Sequence, residues 1–396
     1  MKPIPPSSGH ESAGCYPRRP RMMVFCLMML VGAFSGCGIL RSFFPERESL
    51  QAQIGQMIMV GFRGTSLALS DPLVADIRDG RIGGVILFDY DVPRRAFGRN
   101  ICSPEQTRWL IADLQACSSL PLLIAVDHEG GKVTRLKERD GFPATVSAQS
   151  LGTADDVGAT GSRAGDMADT LSSLGFNINF APVVDLNVNP RSPAIGALER
   201  SFSADPALVT RHALAFIEAH HARGVACTLK HFPGHGSVAS DPHHGIADVT
   251  GTWSEAELEP FQTLIDAGAV DAVMVGHLYN ARLDRKYPAT LSSAVIDVLL
   301  RKRLGFQGVV ISDDMQMGAI RGSWTDEIAV ERAVNAGVDI LLFANNSSYE
   351  PGVARRILSL ITSLVDQGRI SRARIETSYG RILTLKSRLR SFPPAR

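Results

Sequence analysis

Charge of one sign is the first thing this chain lacks. Its 41 Lys and Arg stand against 40 Asp and Glu, a formal net charge of +1. That balance gives no electrostatic reason to expect nucleic acid, and no run of like charge marks a tail for a polyanion. Cysteine is scarce, with six in 396 residues. Cys102 and Cys117 bracket a helix start at Ser103-Pro104-Glu105 and the helix beyond it. At 1.5 Å per residue that helix holds its ends roughly 20 Å apart, too far for a disulfide. Cys227 lies inside an apolar run, and all three read as inert packing residues. No Pro-, Gly- and Ser-rich linker divides the chain after residue 50, so one domain is expected, and 45% hydrophobic residues suffice for a barrel-sized core. A dinucleotide-binding glycine turn is missing too, because Gly61-Phe62-Arg63-Gly64 after the first apolar run does not supply it.

The N-terminal segment has a different character. Arg18, Arg19 and Arg21 precede the apolar stretch Met22 to Val31, and no further charge appears until Arg41. A basic start, a short apolar core and small residues make a secretory signal. Phe34-Ser35-Gly36-Cys37 resembles a bacterial lipobox, with Phe34 in place of the usual Leu. The expectation is a signal peptide over 1–36, a lipidated mature N-terminus at Cys37, a short linker over 37–48 and a catalytic domain over 49–396. This describes an exported bacterial lipoprotein, membrane-anchored on the periplasmic or cell-surface side. The rival is an uncleaved transmembrane anchor, since the uncharged stretch is barely long enough to span.

From about Ser49 the pattern becomes regular. Eight apolar runs recur, at 56–61, 84–88, 122–127, 178–185, 226–231, 272–277, 308–313 and 339–344. They are continuous rather than alternating, as strands of a parallel sheet covered on both faces must be. Between them lie amphipathic stretches with helix-start chemistry: Pro104 in a first turn, Asp205-Pro206 before a helix over 208–223, and Ser254 as an N-cap before Glu255. Eight strands alternating with helices predict an α/β fold, a single (β/α)8 TIM-type barrel. Two further helices, near 350–367 and 375–389, form a C-terminal helical extension.

Polar residues close these runs: Asp127, Asp185, Lys230, His231, His277 and Asp313. In a parallel barrel such positions converge on one face, where the βα loops build a site. Charge placed there is expensive unless function needs it, so the pattern points to an enzyme. The densest stretch is Lys230-His231-Phe232-Pro233-Gly234-His235-Gly236, followed by Asp241-Pro242-His243-His244. It sets a strand delivering Lys-His into a Gly- and Pro-rich loop.

The pattern K-H-F-P-G-H-G with D-x-H resembles the signature of family 3 glycoside hydrolases of the β-N-acetylhexosaminidase type. Asp127-His128-Glu129-Gly130-Gly131 with Arg135, Arg200-Ser201-Phe202 and Ser312-Asp313-Asp314-Met315 resemble further elements of that family. The resemblance implies Asp313 as nucleophile, His243 as general acid/base and Asp241 as the group orienting it. It implies Asp127, Arg135, Arg200, Lys230 and His231 as ligands of sugar hydroxyls. Histidine suits the acid/base role, because its ordinary pKa near 6.5 lets it give and take a proton at working pH. His128 stands where the family commonly has Gln, and Pro242 where it has Ser. Asp314 reads as a helper or a structural residue, since neighbouring strand positions alternate in direction. His244 leaves open which imidazole works, and spacing from Asp241 favours His243.

The expected activity is a retaining exo-β-N-acetylglucosaminidase acting on amino-sugar glycans such as peptidoglycan fragments, as a monomer, without metal or cofactor. A phosphorylase, or another family 3 β-glycosidase, is the same-family alternative. Two remoter readings are a metal-dependent hydrolase using His231, His235, Asp241 and His243, and a non-catalytic sugar-binding lipoprotein. If the lipobox reading holds, Cys37→Ser shifts the protein out of the membrane fraction or blocks its processing. Unchanged size and sedimentation with membranes would favour the transmembrane rival.

Overall fold

The computed structural model describes residues 48–239 and 245–390. The signal segment, the lipobox with Cys37, and the residues Asp241, His243 and His244 lie outside the described residues. Among the described residues no helix is long and apolar enough to cross a membrane. Cys102, Cys117 and Cys227 are unpaired, as their placement in the sequence required.

All eight expected strands form, and all are parallel. They are β1 (Ile58–Gly61), β2 (Gly84–Ile86), β3 (Leu123–Val126), β4 (Ile178–Asn179), β5 (Ala226–Phe232), β6 (Ala272–Val275), β7 (Val309–Ser312) and β8 (Leu341–Phe343). They make one eight-stranded sheet in the spatial order β7-β6-β5-β4-β3-β2-β1-β8. Each strand therefore lies beside its neighbours in sequence, with β8 returning to β1 through the pairs Ile58–Leu341 and Val60–Phe343. Every strand residue is buried, which is why the runs carry no polar alternation.

The seam between β7 and β8 closes the barrel differently. One parallel bridge joins Ile311 to Ile340. Three side chains complete the ladder as acceptors: Asp339 Oδ2 takes the Val310 amide at 3.0 Å, Ser312 Oγ takes Leu342 at 3.0 Å, and Asp314 Oδ1 takes Ala344 at 3.0 Å.

The helices follow their start signals with one exception. Ser103 caps α1 (Pro104–Ala116) by accepting from Gln106 N at 3.2 Å. Asp205 caps α2 (Pro206–His221), which begins two residues before the expected 208 because Pro206 is accommodated in the first turn. Ser254 makes no side-chain cap. The chain there winds tightly as a 3-10 turn, Glu255–Leu258, and the helix α3 (Glu259–Asp266) starts a turn later with Pro260 near its beginning. After β8 come α4 (Val353–Asp366) and α5 (Arg372–Arg390), the expected C-terminal extension.

The last helix pins the barrel floor. Asp339, fully buried at the start of the eighth run, accepts from Arg301 at 2.6 Å, Arg374 at 2.9 Å and the Ser378 hydroxyl at 2.8 Å. Removing one partner of such a buried pair strands the other charge, at a cost of about 3–5 kcal/mol. Asp339→Ala is expected to lower the unfolding free energy measured in urea by that amount without moving the substrate affinity, and a loss below about 1 kcal/mol would mean water replaces the carboxylate freely.

Candidate active site

The strand ends do converge, and they do so around a cavity of about 510 Å3. Asp127, Glu129, Arg135, Arg200, Lys230, His231, His235, Asp313 and Asp314 all border it. Each expected substrate ligand is therefore on the same face as the expected nucleophile. Two of the polar strand-end residues, Asp185 and His277, instead lie buried behind this lining.

Local geometry explains the first cluster. After β3 the chain makes a short antiparallel hairpin, His128–Gly130 against Val133–Thr134. Gly130 and Gly131 turn it with φ of 100° and 57°, and a Cβ on Gly131 would sit 2.6 Å from Ser147 Cβ. Only glycine fits such a left-handed, close-packed turn. The hairpin folds Arg135 back onto Asp127, with Nη2 donating to Oδ2 at 3.1 Å.

From there an alternating chain of charge crosses the cavity wall. Lys230, almost fully buried, puts its ammonium 2.9 Å from Asp127 Oδ1 and 2.6 Å from Glu129 Oε1. Glu129 is gripped by Arg200 through two bonds of 2.7 Å, the bidentate fork that guanidinium and carboxylate favour. Arg200 also donates to the Ala194 carbonyl at 2.8 Å. Its Nη2 lies 3.3 Å from His231 Nε2, and His231 Nδ1 lies 2.8 Å from Asp185 Oδ2. A guanidinium only donates, so Nε2 accepts and the ring hydrogen sits on Nδ1, facing the carboxylate. Burial would raise the carboxyls of Asp127 and Glu129, but Lys230 and the arginines outweigh it and hold both below their ordinary values.

Glu129, within the Asp127-to-Gly131 stretch, is a member of the site through its ion pairs with Arg200 and Lys230. His128 points away. Its ring contacts the Thr134 hydroxyl, and its main chain bonds the Asn179 amide in both directions. Burial pushes its ring down to about 3. His128 is therefore held in a structural role and does not border the cavity.

Asp313 follows β7 directly. Its backbone N–H donates to the Val275 carbonyl at 3.1 Å, and its Oδ1 accepts from the Asp314 amide at 2.7 Å. Burial would raise this carboxyl; His277, the Asp314 amide and Lys230 help bring it below the ordinary range. Burial also pushes His277 down, so its charge comes and goes with pH, whereas the amide contribution is permanent. Asp314 also borders the cavity, because β7 stops at Ser312 and strand alternation no longer applies. Its carboxyl is turned onto the amides of Gln316 and Ala344 and is pushed up to about 6, chiefly by burial.

The stretch after β5 is held at its root. Asp185 accepts from the His231 amide at 3.0 Å and the His235 amide at 2.8 Å, and Pro233 O takes the Trp253 indole N–H at 2.9 Å. Glu257 Oε2 accepts from the Gly236 amide at 3.1 Å, while among the described residues its Oε1 and the ring Nδ1 of His235 have no hydrogen-bond partner. Beyond the undescribed residues the chain returns in a two-residue strand, Ala247–Asp248, paired in parallel with Leu278–Tyr279 after β6. Of the four residues considered as metal ligands, His231 has both ring nitrogens taken, one by a guanidinium.

Glu257 is a group that sequence patterning missed, since Glu255-Ala256-Glu257 read only as a helix start. Burial pushes its carboxyl up to about 7 from 4.5. A folded value above the unfolded one adds stability at acid pH, and that stability is lost as pH rises from about 4.5 to about 7. At about 1.4 kcal/mol per pH unit this is roughly 3 kcal/mol. Buried histidines such as His128, held below their ordinary value, gain stability over the same range, so the wild type is compared with Glu257→Gln. In urea unfolding at pH 5 and pH 8 the wild type is expected to lose about 2–3 kcal/mol relative to Glu257→Gln. A difference between the two proteins that does not change with pH would assign Glu257 no part in it.

With this geometry in view, the likenesses to known proteins take on meaning. Residues 49–385 match the glycosyl hydrolase family 3 N terminal domain. The β-hexosaminidase of Xylella fastidiosa (strain M23) is 39% identical over 295 residues, which are 72% of this chain and 82% of that protein. β-Hexosaminidase A of Pseudoalteromonas piscicida is 33% identical over 333 residues, 78% of this chain but 54% of the relative. A solved family 3 β-N-acetylglucosaminidase from Paenibacillus sp. str. FPU-7 superposes with a TM-score of 0.79 at 37% identity, covering 88% of this chain and 64% of that one. The chain thus spans just over half of one relative's length and under two thirds of another's. Its fold, its cavity-lining motifs and these matches place the chain in glycosyl hydrolase family 3.

Proposed function

We propose that the protein is a retaining exo-β-N-acetylglucosaminidase that removes terminal β-linked N-acetylhexosamine from glycans. The observation that carries this reading is the pairing of an ionised Asp313 with the Asp127–Lys230–Glu129–Arg200–His231 array across one cavity. A pyranose presents hydroxyls that both donate and accept, and a wall of alternating cations and carboxylates meets both needs. Relatives of this fold are named β-hexosaminidase or β-N-acetylglucosaminidase, which supports the same substrate class.

In this mechanism Asp313 attacks the anomeric carbon and forms a glycosyl ester while the aglycone oxygen leaves. His243, oriented by Asp241, protonates that oxygen and then takes a proton from the water that hydrolyses the ester. Double displacement of this kind requires the nucleophile and the acid/base group to come within about 5 Å of each other across the sugar. A lipid on Cys37 would hold the enzyme at the exported face of a membrane, where peptidoglycan fragments are substrates within reach. The basic and apolar succession before Cys37 supports that tether.

Kinetics separates the roles. Asp313→Ala is expected to abolish turnover on every substrate. His243→Ala is expected to slow a substrate with a poor leaving group by about 10²–10⁴-fold, while an activated aryl β-N-acetylglucosaminide still forms the ester, which then accumulates. Equal slowing of both substrates would make His243 a binding residue and move the acid/base role elsewhere. Faster turnover with added phosphate would turn the reading toward a phosphorylase.

A further inference from the structure

His277 is a buried imidazole that the mechanism above does not use. It follows β6 and lies behind the nucleophile, outside the cavity lining. Its Nε2 is 2.9 Å from the Asp314 carbonyl oxygen. A carbonyl only accepts, so Nε2 carries a hydrogen in every state of the ring. The Asp314 amide, on the same residue, donates to Asp313 Oδ1 at 2.7 Å. One residue's backbone thus has its carbonyl held by His277 and its N–H held against the nucleophile.

The other ring nitrogen has an adjustable partner. His277 Nδ1 lies 2.8 Å from Thr290 Oγ1, and that hydroxyl also lies 2.9 Å from the Gly276 carbonyl and 3.2 Å from the Val275 carbonyl. Thr290 has a single hydroxyl hydrogen. Pointed at Nδ1, it satisfies a neutral ring; pointed at Gly276 O, it frees the oxygen to accept from a protonated ring. The clamp on Asp314 therefore holds in both protonation states with no heavy atom moving. Two titratable groups face the ring, Asp313 from the turn after β7 and His231 from β5; the Asp313 carboxylate favours the charged form of His277.

We propose that His277 is a positioning residue for the nucleophile: by holding the Asp314 backbone it keeps one Asp313 oxygen occupied by an amide and leaves the other free for the sugar, and its positive form steadies the ionised carboxylate. This rests on Asp313 being the nucleophile. When the ester forms, the bond from Asp313 oxygen to the anomeric carbon replaces the bond to the aglycone, which departs with its electron pair. The carboxylate loses its charge, and His277 loses the electrostatic reason to keep an extra proton.

The test reads the first step alone. Wild type, His277→Ala, His277→Gln and Thr290→Val are mixed with a fluorinated aryl N-acetylglucosaminide whose glycosyl-enzyme turns over slowly. Ester formation on Asp313 is then followed by intact mass as a function of pH and concentration. An aryl leaving group makes the rate independent of acid assistance. His277→Ala is expected to lose roughly 10²-fold in the maximal rate, the penalty for a reacting group about 1 Å out of place, with half-saturation little changed. His277→Gln retains a donor for the Asp314 carbonyl and is expected to recover most of that rate. Because glutamine cannot become positive, Asp313 protonates more readily and the acid limb moves to higher pH. Thr290→Val is expected to keep the maximal rate within a few-fold and to move only the acid limb. Wild type that forms no ester overturns both this inference and Asp313 as nucleophile. Wild type that forms it, with His277→Ala equally fast, overturns the inference alone. So does a His277→Gln protein as slow as His277→Ala with an unmoved acid limb, because that would be a purely structural defect.

Discussion

One ammonium group holds the polar wall of this barrel together. Lys230 Nζ sits between Asp127 and Glu129, at 2.9 and 2.6 Å, with almost no access to solvent. Without it two carboxylates would face each other in a half-dry cavity and one would have to take a proton. With it, and with Arg135 and Arg200 at either end, every charge in the wall has an opposite neighbour. A site built this way is set before any ligand arrives, so its dipoles need no rearrangement when charge develops there. The arrangement spans three adjacent strands, because Lys230 comes from β5 and its partners from the end of β3 and the hairpin after it.

The strands were legible because burial on both faces forces an unbroken apolar run, and few other structures demand that. Asp127, Lys230, His231 and Asp313 were legible because each falls where such a run stops, whereas Arg135 and Arg200, which also border the cavity, were singled out only through the family resemblance. What escaped notice depends on contacts that no local pattern carries. Glu129 earns its place through Arg200, 71 positions away along the chain. Glu257 looks like an ordinary residue of a helix start until the fold sets it against Gly236. His128 sits between two site residues in sequence, yet the hairpin turns its ring to Thr134. Ser254 followed a sound rule for helix starts, and a tight 3-10 turn before Pro260 displaced the helix by one turn.

Asp313 and Asp314 illustrate how adjacent, identical residues come to differ. Both lie just past the end of β7, and both border the cavity. The first has one oxygen on the Asp314 amide and is held below the ordinary carboxyl range; the second spends its carboxylate on the amides of Gln316 and Ala344 and its backbone on Asp313 and His277. Composition alone sees two aspartates. The distinction arises from which of them continues the strand ladder.

That ladder bears on how the protein behaves when it is not catalysing. Any sheet that fails to close presents a strand edge, an open template on which another chain can add. Here the edge is masked at the β7–β8 seam by one backbone bridge and by the side chains of Ser312, Asp314 and Asp339. Two of these three flank Asp313 in sequence. Exchanging the three for apolar residues would leave the amides of Val310, Leu342 and Ala344 without their acceptors, while backbone bonds such as Ser312 N to Ile340 O and Met315 N to Leu342 O still join the strands. Closure of the barrel and the geometry around Asp313 are thus coupled through one short stretch of chain.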